Sequence, residues 1–497
     1  MSKNRKKENT SRFLGNFTFR DGESVVGEVQ LKGSDTLLKL HSDQPLNVTD
    51  VSCINGVAYS GEALTLIDCN SPGMGHISSR SKGTQYHAKV FPHYVTVGQF
   101  HLNQDQPSIK TIEFTTTDIA TLFYDFDAFG SVIDASSIID AALQEPRQTR
   151  PIETGPLPLV QYFTGKDCIA EVHTEIGTIS VHHRPSSSIG DPTGVFIKNH
   201  IVVSIRPNEP VHFDDAIERM YATANFLSVA AGRAQGVDHV RIITTDIVDD
   251  IPQSLSVHPS YRWKAFDKTE LHEPHPGDVP LDPILRPAEF SMVLSDWVRR
   301  HDSWRIARSR YLGCLRKANS YDPDRLVAAA NMFDILPGDA VPLNTELTED
   351  LAATRDDCVA MFRKHPVGIE RNAALSALGR LGHPSLPKKV KHRVAVVESK
   401  LGDKFVDLQF VASVAIKCRN FFVHGNSGDI QYDSVEPLIP FLTDALEFIF
   451  ATSDFIDAGW DAQHWNSRAH SWGHSFSRFR SEYEMGLAEL RRATGSS

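Results

Sequence analysis

Apolar residues recur at every second position through the first half of this chain and at every third or fourth through the second half. A segment can obey only one of these periods. Side chains alternate across a strand but return to one helix face after about 3.6 residues. The chain must therefore build a sheet first and helices afterwards. In FLGNFTFRDGESVVGEVQLKG, Phe13, Gly15, Phe17 and Phe19 occupy alternate positions. The turn dipeptide Asp21-Gly22 follows, and Val25, Gly27, Val29 and Leu31 alternate again before Lys32-Gly33-Ser34-Asp35 turns the chain once more. Short strands of the same kind continue in TIEFTTTDIATLFYDF, DCIAEVHTEIGTISVHH and NHIVVSIRP. Turn signals this frequent predict an antiparallel sandwich or barrel-like sheet.

One helix interrupts the sheet. FDDAIERMYATANFLSVAAG offers Asp214 or Asp215 as N-cap, a stripe of Ile217, Tyr221, Ala224 and Leu227, and Gly232 as a stop. HVRIITTDIV then returns to strand, and the Pro- and His-rich residues 251–285 read as a linker. Beyond it, helical periodicity runs through AEFSMVLSDWVRRHDSWRIARSRYLGCL and through DPDRLVAAANMFDIL, where Asp322 before Pro323 marks a helix start. KFVDLQFVASVAIKCRNFFVH is a third helix, stopped by Gly425-Asn426-Ser427-Gly428, and SVEPLIPFLTDALEFIFATSDFI is a fourth.

With 497 residues, 41% hydrophobic and 23% charged, the chain can bury full cores in more than one domain. The start, MSKNRKKENTSR, is basic and lacks an apolar core of the signal-peptide kind, so it reads as a disordered tail. No apolar run is long enough to span a membrane. Six scattered cysteines without a CxxC pair suit a reducing cytoplasm rather than a disulfide framework. Net charge is −11, yet residues 299–425 carry 21 Lys and Arg against 14 Asp and Glu. That segment could attract phosphate as a local patch, or could be a solvated basic helix face.

The third helix carries the chemistry. Its stripe of Val411, Val414, Cys418, Phe421 and Phe422 should pack inward. Asn420 and His424 are four apart and share a face, with Arg419 beside them, and Gly425 lets the backbone turn away and leave His424 accessible. RNA brings its own nucleophile, the 2′-hydroxyl. Cleavage needs a base or acid near neutral pH, which imidazole supplies, and a cation for the phosphate, which guanidinium fits as a fork. Such a set needs no metal and no cofactor. The bare Arg-to-His spacing is unspecific in a chain with 22 histidines, and a histidine at a helix C-terminus also suits the helix dipole.

RNFFVHG at the end of a helix in an all-α region resembles the R-[polar]-x-x-x-H signature of HEPN domains, and Asn right after the Arg is the commonest form in that family. FLGNFTFRDGESVVGEVQLKGSDTLLKL resembles the opening strands of the Apea-type N-terminal domain, and NFLSVAAGR its later helix. Together they resemble the Apea-like HEPN proteins of bacterial anti-phage defence, from about Phe13 to Gly459. The resemblance implies an α+β chain: a β-rich antiparallel N-terminal domain followed by an all-α HEPN helical bundle. It further implies a metal-independent endoribonuclease that cuts RNA, often tRNA, and works as a homodimer with two motifs facing one cleft. Arg419, Asn420 and His424 carry the motif. The family's first HEPN helix often bears an acidic residue; here Asn331 stands at that position, with Asp334 one turn on.

The expected plan is a basic tail (1–12), a β-rich sensor domain (13–250), a linker (251–285), a HEPN domain (286–460) and a C-terminal aromatic and His-rich helix (461–497). Lys388, Lys389, Lys391 and Arg393, with Lys417, are candidate RNA contacts. At the C-terminus His470 and His474 have metal-like spacing but lack a further ligand set, while Trp472, Phe476, Arg478, Phe479 and Arg480 would either stack on bases or pack as an amphipathic helix. The expected setting is cytoplasmic, with a phage-derived trigger acting on the N-terminal domain. The competing functions are a catalytically silent HEPN module that binds a partner protein, and a ligand-binding β domain joined to a helical dimerisation unit.

Overall fold

A computed structural model of the chain describes residues 11–495 apart from 20–21, 23, 47, 49–50, 80, 82, 189, 191, 193, 262–272, 344–346 and 426–431. Two compact units divide it. One takes Met1–Leu227, Gln235–Ala265 and Asp282–Ser291; the other takes Ser228–Ala234, Phe266–Leu281 and Met292–Ser497.

The first unit opens with six strands: β1 (Ser11–Thr18), β2 (Ser24–Leu31), β3 (Leu37–Ser42), β4 (Cys53–Ala58), β5 (Ala63–Ser79) and β6 (Gly83–Gly98). They pair antiparallel in the order β6-β3-β2-β1-β4-β5, and β5 pairs back onto β6, so the six close into a ring. Closure removes the open edges that a free sheet would expose. The alternation seen in the sequence is the inside of this barrel: Phe17, Val25, Val29, Leu31, Leu38, Leu40, Ile54, Leu64, Leu66, Val90 and Val95 form one buried cluster. Phe17 needs room that only glycine leaves. A Cβ on Gly56 would lie 2.5 Å from its ring, and one on Gly27 would lie 2.8 Å from the Leu40 side chain.

The sheet then continues through β7 (Ile109–Thr116), β10 (Cys168–Thr174), β11 (Gly177–His183), β14 (Ile201–Arg206), β15 (Val237–Val248) and β16 (Ile251–Pro259), while β8 (Phe129–Val132) with β9 (Val160–Phe163) and β12 (Ser186–Ser187) with β13 (Ile197–Lys198) form two separate two-stranded sheets. Its order is β10-β11-β14-β7-β15-β16, joined to the barrel through β6. The helices of this stretch are α1 (Ile119–Leu122), α2 (Ser136–Leu143), α3 (Pro146–Thr149) and α4 (Phe213–Ala231). Asp214 and Asp215 lie in the first turn of α4, where acids suit the dipole, and Gly232 ends it with φ +68°.

Two expectations need correction here. Residues 251–259 are not linker: they form β16, paired to β15 on one side and β6 on the other. Proline at 252 and 259 sits at the ends of the strand, where a missing N–H costs least. Ser11 and Arg12 belong to β1 rather than to a tail, paired with Leu31 and Gln30. Residues 1–10, 262–272 and 426–431, which hold the rest of the expected tail, part of the expected linker and part of the Gly-Asn-Ser-Gly stop, lie outside the described residues.

The helical part follows as α5 (Pro287–Arg299), α6 (His301–Leu315), α7 (Pro323–Asp334), α8 (Glu349–Arg363), α9 (Ile369–Gly379), α10 (Leu386–Leu401), α11 (Leu408–His424), α12 (Tyr432–Val435), α13 (Ile439–Asp457), α14 (Ala462–Ser467) and α15 (Ser475–Thr494). The long apolar run at 288–315 is two helices meeting at Arg300. Asp322 caps α7 as its sequence predicts, accepting from the Arg325 backbone N–H at 2.7 Å, with Pro323 in the first turn. Helices α8 and α9 went unseen in the sequence. They pack on each other and bury no residue fully, so they carry little apolar periodicity to detect.

Helix α13 is the hub of the second unit, touching α6, α7, α10, α11 and α15. It is buried almost all round, and its polar residues anchor arginines from earlier helices. Asp454 accepts from Arg300 Nη1 at 2.6 Å and from Arg308 Nε at 2.9 Å. Glu447 accepts from Arg325 Nε at 2.7 Å and Nη2 at 2.9 Å, a fork-to-fork pair. Arg393 Nε donates to Ser453 Oγ at 2.9 Å, and its Nη1 pairs with Asp457 at 2.6 Å. Four of the 21 basic residues counted at 299–425 are thus buried against acids outside that segment. That pairing removes these four from the apparent basic patch.

Candidate active site

Helix α11 ends on the motif. Val411, Val414, Ala415 and Cys418 are buried against neighbouring helices, which fixes the rotation of the helix. Gly425 follows with φ +67° and donates its N–H to the Phe421 carbonyl at 2.8 Å, closing the helix with a left-handed turn. His424, the last helical residue, is exposed.

Arg419 is positioned rather than loose. Its Nε and Nη2 donate to Asn331 Oδ1 on α7 at 3.2 and 2.8 Å, and its Nη1 donates to Asn420 Oδ1 at 3.1 Å. Its side chain is only 14% exposed. A guanidinium has five N–H groups. Three are used here, which leaves one on each terminal nitrogen, the two-pronged geometry that fits a phosphate. Asp334 Oδ2 stands 3.9 Å from Nη2, too far for a hydrogen bond but near enough to add negative potential. Lys389, from α10, donates to the Asp334 carbonyl at 2.5 Å and lies 4.0 Å from its carboxylate. The structure therefore gathers Arg419, Asn420, Asn331, Asp334 and Lys389 around the end of α11.

The other expected RNA contacts separate. Lys388 and Lys391 are exposed on α10, and Lys417 is exposed on α11. Arg393 is not available: it is 2% exposed and lies 5.4 Å from the centre of the Trp304 ring. The basic run KKVKHR is the first turns of α10, and the same spacing that buries Val390 and Val394 buries Arg393. The stripe also needs adjustment, since Phe421 and Phe422 are half-exposed. Their ring partner is Tyr432 at the start of α12: Phe421 stacks on it at 4.7 Å and 18°, and Phe422 meets it edge-on at 5.2 Å. Tyr432 is a site neighbour that sequence reasoning missed, because it lies beyond the loop that ends the motif.

Most of the C-terminal histidines and aromatics are structural, but Trp472 is 54% exposed. His474 is fully buried and caps α15, its Nδ1 accepting from the Phe476 N–H at 3.1 Å, and burial pushes its pKa down to about 3. His470 hydrogen-bonds the Trp465 carbonyl at 2.7 Å. Phe476 and Phe479 are core residues, which removes them as base-stacking candidates; Arg480 is held by Asn466. Among the described residues, no group of three or more His, Cys, Asp and Glu is placed to hold a metal ion. No described helix is long and apolar enough to cross a membrane.

A β-barrel unit followed by a helical unit with an Arg-Asn-x-x-x-His helix end defines a HEPN protein with a β-rich N-terminal domain. Family models agree: ApeA N-terminal domain 1 matches residues 12–300, more than half of the chain, and Apea-like HEPN matches residues 327–464. The chain belongs to this ApeA-type HEPN family. HEPN domains are generally ribonucleases, often dimerise and bind RNA, and the family points to a defence-type role. Comparison with curated proteins and with solved structures finds no match.

Proposed function

We propose that this protein is a metal-independent endoribonuclease of anti-phage, abortive-infection defence that cuts cellular RNA, tRNA among it, in the cytoplasm. The observation that carries the reading is the Arg419 guanidinium, fixed by Asn331 and Asn420 with two N–H groups to spare, one residue before Asn420 and five before an exposed His424. Neutral His424 takes the proton of the RNA 2′-hydroxyl, the oxygen attacks the adjacent phosphorus, and the 5′-oxygen leaves. Arg419 holds the phosphate as charge builds on it, and the Asn420 amide nitrogen offers further N–H donors. The products are a 2′,3′-cyclic phosphate and a 5′-hydroxyl.

Transesterification benefits from a base and an acid on opposite sides of the phosphorus. One motif has one imidazole, so a homodimer through the helical unit would supply the second. The N-terminal unit is the sensor of a phage-derived trigger. It holds a cavity of about 580 Å³ lined by Lys32, Asp238, His239, Arg241 and His258 among others, within the size range of ligand sites. The test is to express wild type beside His424→Ala and sequence cellular RNA ends. New 2′,3′-cyclic phosphate ends should appear only with wild type and should persist in excess EDTA. Identical end profiles, or cleavage that stops with EDTA and returns with Mg²⁺, would overturn the assignment. Mixing inactive His424→Ala with inactive Arg419→Ala should restore part of the activity if the cleft is built from two chains.

A further inference from the structure

The ring cluster at the end of α11 has no counterpart in the mechanism above. Phe421, Phe422 and Tyr432 touch one another but none is buried, and Val423 beside them is 44% exposed. Apolar surface gathered in one place marks a contact site more often than isolated exposed residues do. Its place is informative. Phe421 precedes His424 by three residues, so the two side chains emerge on one helix face a turn apart. Tyr432 lies flat against Phe421 and meets Phe422 edge-on, so two rings hold its plane. A platform of this kind beside a phosphate-holding arginine matches how proteins seat unpaired bases, since every base has a flat face and stacking tolerates any sequence.

We infer that the Phe421–Tyr432 stack is a nucleobase platform, so that the substrate is single-stranded RNA with one base next to the cut stacked on Tyr432. This rests on the ribonuclease reading. A base inside a duplex is covered on both faces by its neighbours and has no face to offer. Loops, bulges and unpaired ends would be cut, and paired stems spared. Because any base can stack, the platform fixes strandedness and register but leaves base identity to other contacts.

The experiment uses the full chain with His424→Ala, which binds without cutting, and a short single-stranded RNA carrying 2-aminopurine at each position in turn. At one position the fluorescence should be quenched on binding. Stacking is worth about 1–3 kcal/mol per base, which corresponds to about 5- to 150-fold in affinity. Tyr432→Ala should weaken binding by a factor in that range and abolish the quenching, while Tyr432→Phe should keep both. In the otherwise wild-type enzyme, Tyr432→Ala should raise KM for the single strand, and annealing a complementary strand should protect the site.

If wild type cuts no RNA, the ribonuclease reading falls and the platform with it. If it cuts RNA and Tyr432→Ala binds and cuts unchanged, or if duplex is cut as well as single strand, only the platform falls. Should Tyr432→Ala lower the melting temperature and Tyr432→Phe restore it without any change in RNA affinity at a permissive temperature, the rings are packing and the inference is wrong. A Tyr432→Ala protein that loses its dimer but keeps full RNA affinity would also overturn it, by assigning the rings to a second copy of the chain.

Discussion

Asp444 should make the helical unit less stable as pH rises through neutrality. It lies on α13, partly buried, with its carboxylate accepting the Tyr321 hydroxyl at 2.8 and 2.9 Å. Burial raises its pKa first, and Glu447 one turn on raises it further. Arg325 is committed to Glu447 and offsets only part of this, leaving Asp444 at about 7 against an ordinary 3.8. A carboxyl whose folded pKa is raised stabilises the fold while protonated. Its contribution is complete below about pH 4 and is lost as pH climbs through about 7. At about 1.4 kcal/mol per unit the limit is ~4 kcal/mol, and partial exposure and sharing with Glu447 reduce it to ~2 kcal/mol.

Asp444→Asn removes the titration and keeps an oxygen for the Tyr321 hydroxyl. At pH 8 the variant should melt ~4–8 °C above wild type, by the usual scaling for a unit of this size. At pH 4.5 the two should nearly coincide. Tryptophan fluorescence suits the assay, because Trp297, Trp304, Trp460 and Trp465 are all buried in the helical unit. An Asn variant less stable than wild type at pH 8, or a difference that does not change between pH 4.5 and 8, would refute the reasoning.

Arg393→Ala should destabilise the helical unit by about 2–5 kcal/mol, the range for emptying the site of a large buried side chain, with RNA affinity per folded molecule unchanged; loss of affinity without loss of stability would restore it as an RNA contact. Asn331→Ala frees Arg419 from α7 and should lower kcat/KM about 10- to 100-fold while the melting temperature stays within a few degrees, by the worth of a hydrogen bond to a charged group; unchanged kinetics would mean that Arg419 needs no support. Gly56→Ala drives a methyl into the Phe17 ring and should cost the barrel about 1–3 kcal/mol, read by chemical denaturation of the N-terminal unit, whereas Gly61→Ala, in an open turn, strains only its own backbone.

The strands and the motif were legible because each is written locally. Val25 to Leu31 alternate in sequence and alternate in burial, and Asp322-Pro323 caps a helix with atoms three residues apart. Arg419, Asn420 and His424 lie on one turn and a half of one helix, so spacing alone brings them together. Arg393 was misassigned for the opposite reason: its partners Ser453 and Asp457 are 60 or more residues away, and a basic run looks solvated until they are placed. The link from Arg419 to Asn331 spans 88 residues, and only the family resemblance pointed to it. Residues 251–259 read as linker because prolines outweighed a short alternation, yet β15 and β6 give that strand both of its partners.

The dependence on α13 also sets an order in time. Arg300, Arg308 and Arg325 wait 154, 146 and 122 residues for their carboxylates, and helices α7 and α11, which hold Asn331 and Arg419, both pack on α13. A chain still attached to a ribosome, with His424 just made, has no α13 to dock against. Synthesis at about 5–20 residues per second leaves an interval of seconds before residue 457 is added, and longer before it clears the exit tunnel. Through that interval α7 and α11, which carry Asn331 and Arg419, lack the helix on which both pack. On the ribonuclease reading proposed above, such a chain should stay inert on the polysome that makes it and act on RNA only after its own message has been read almost to the end.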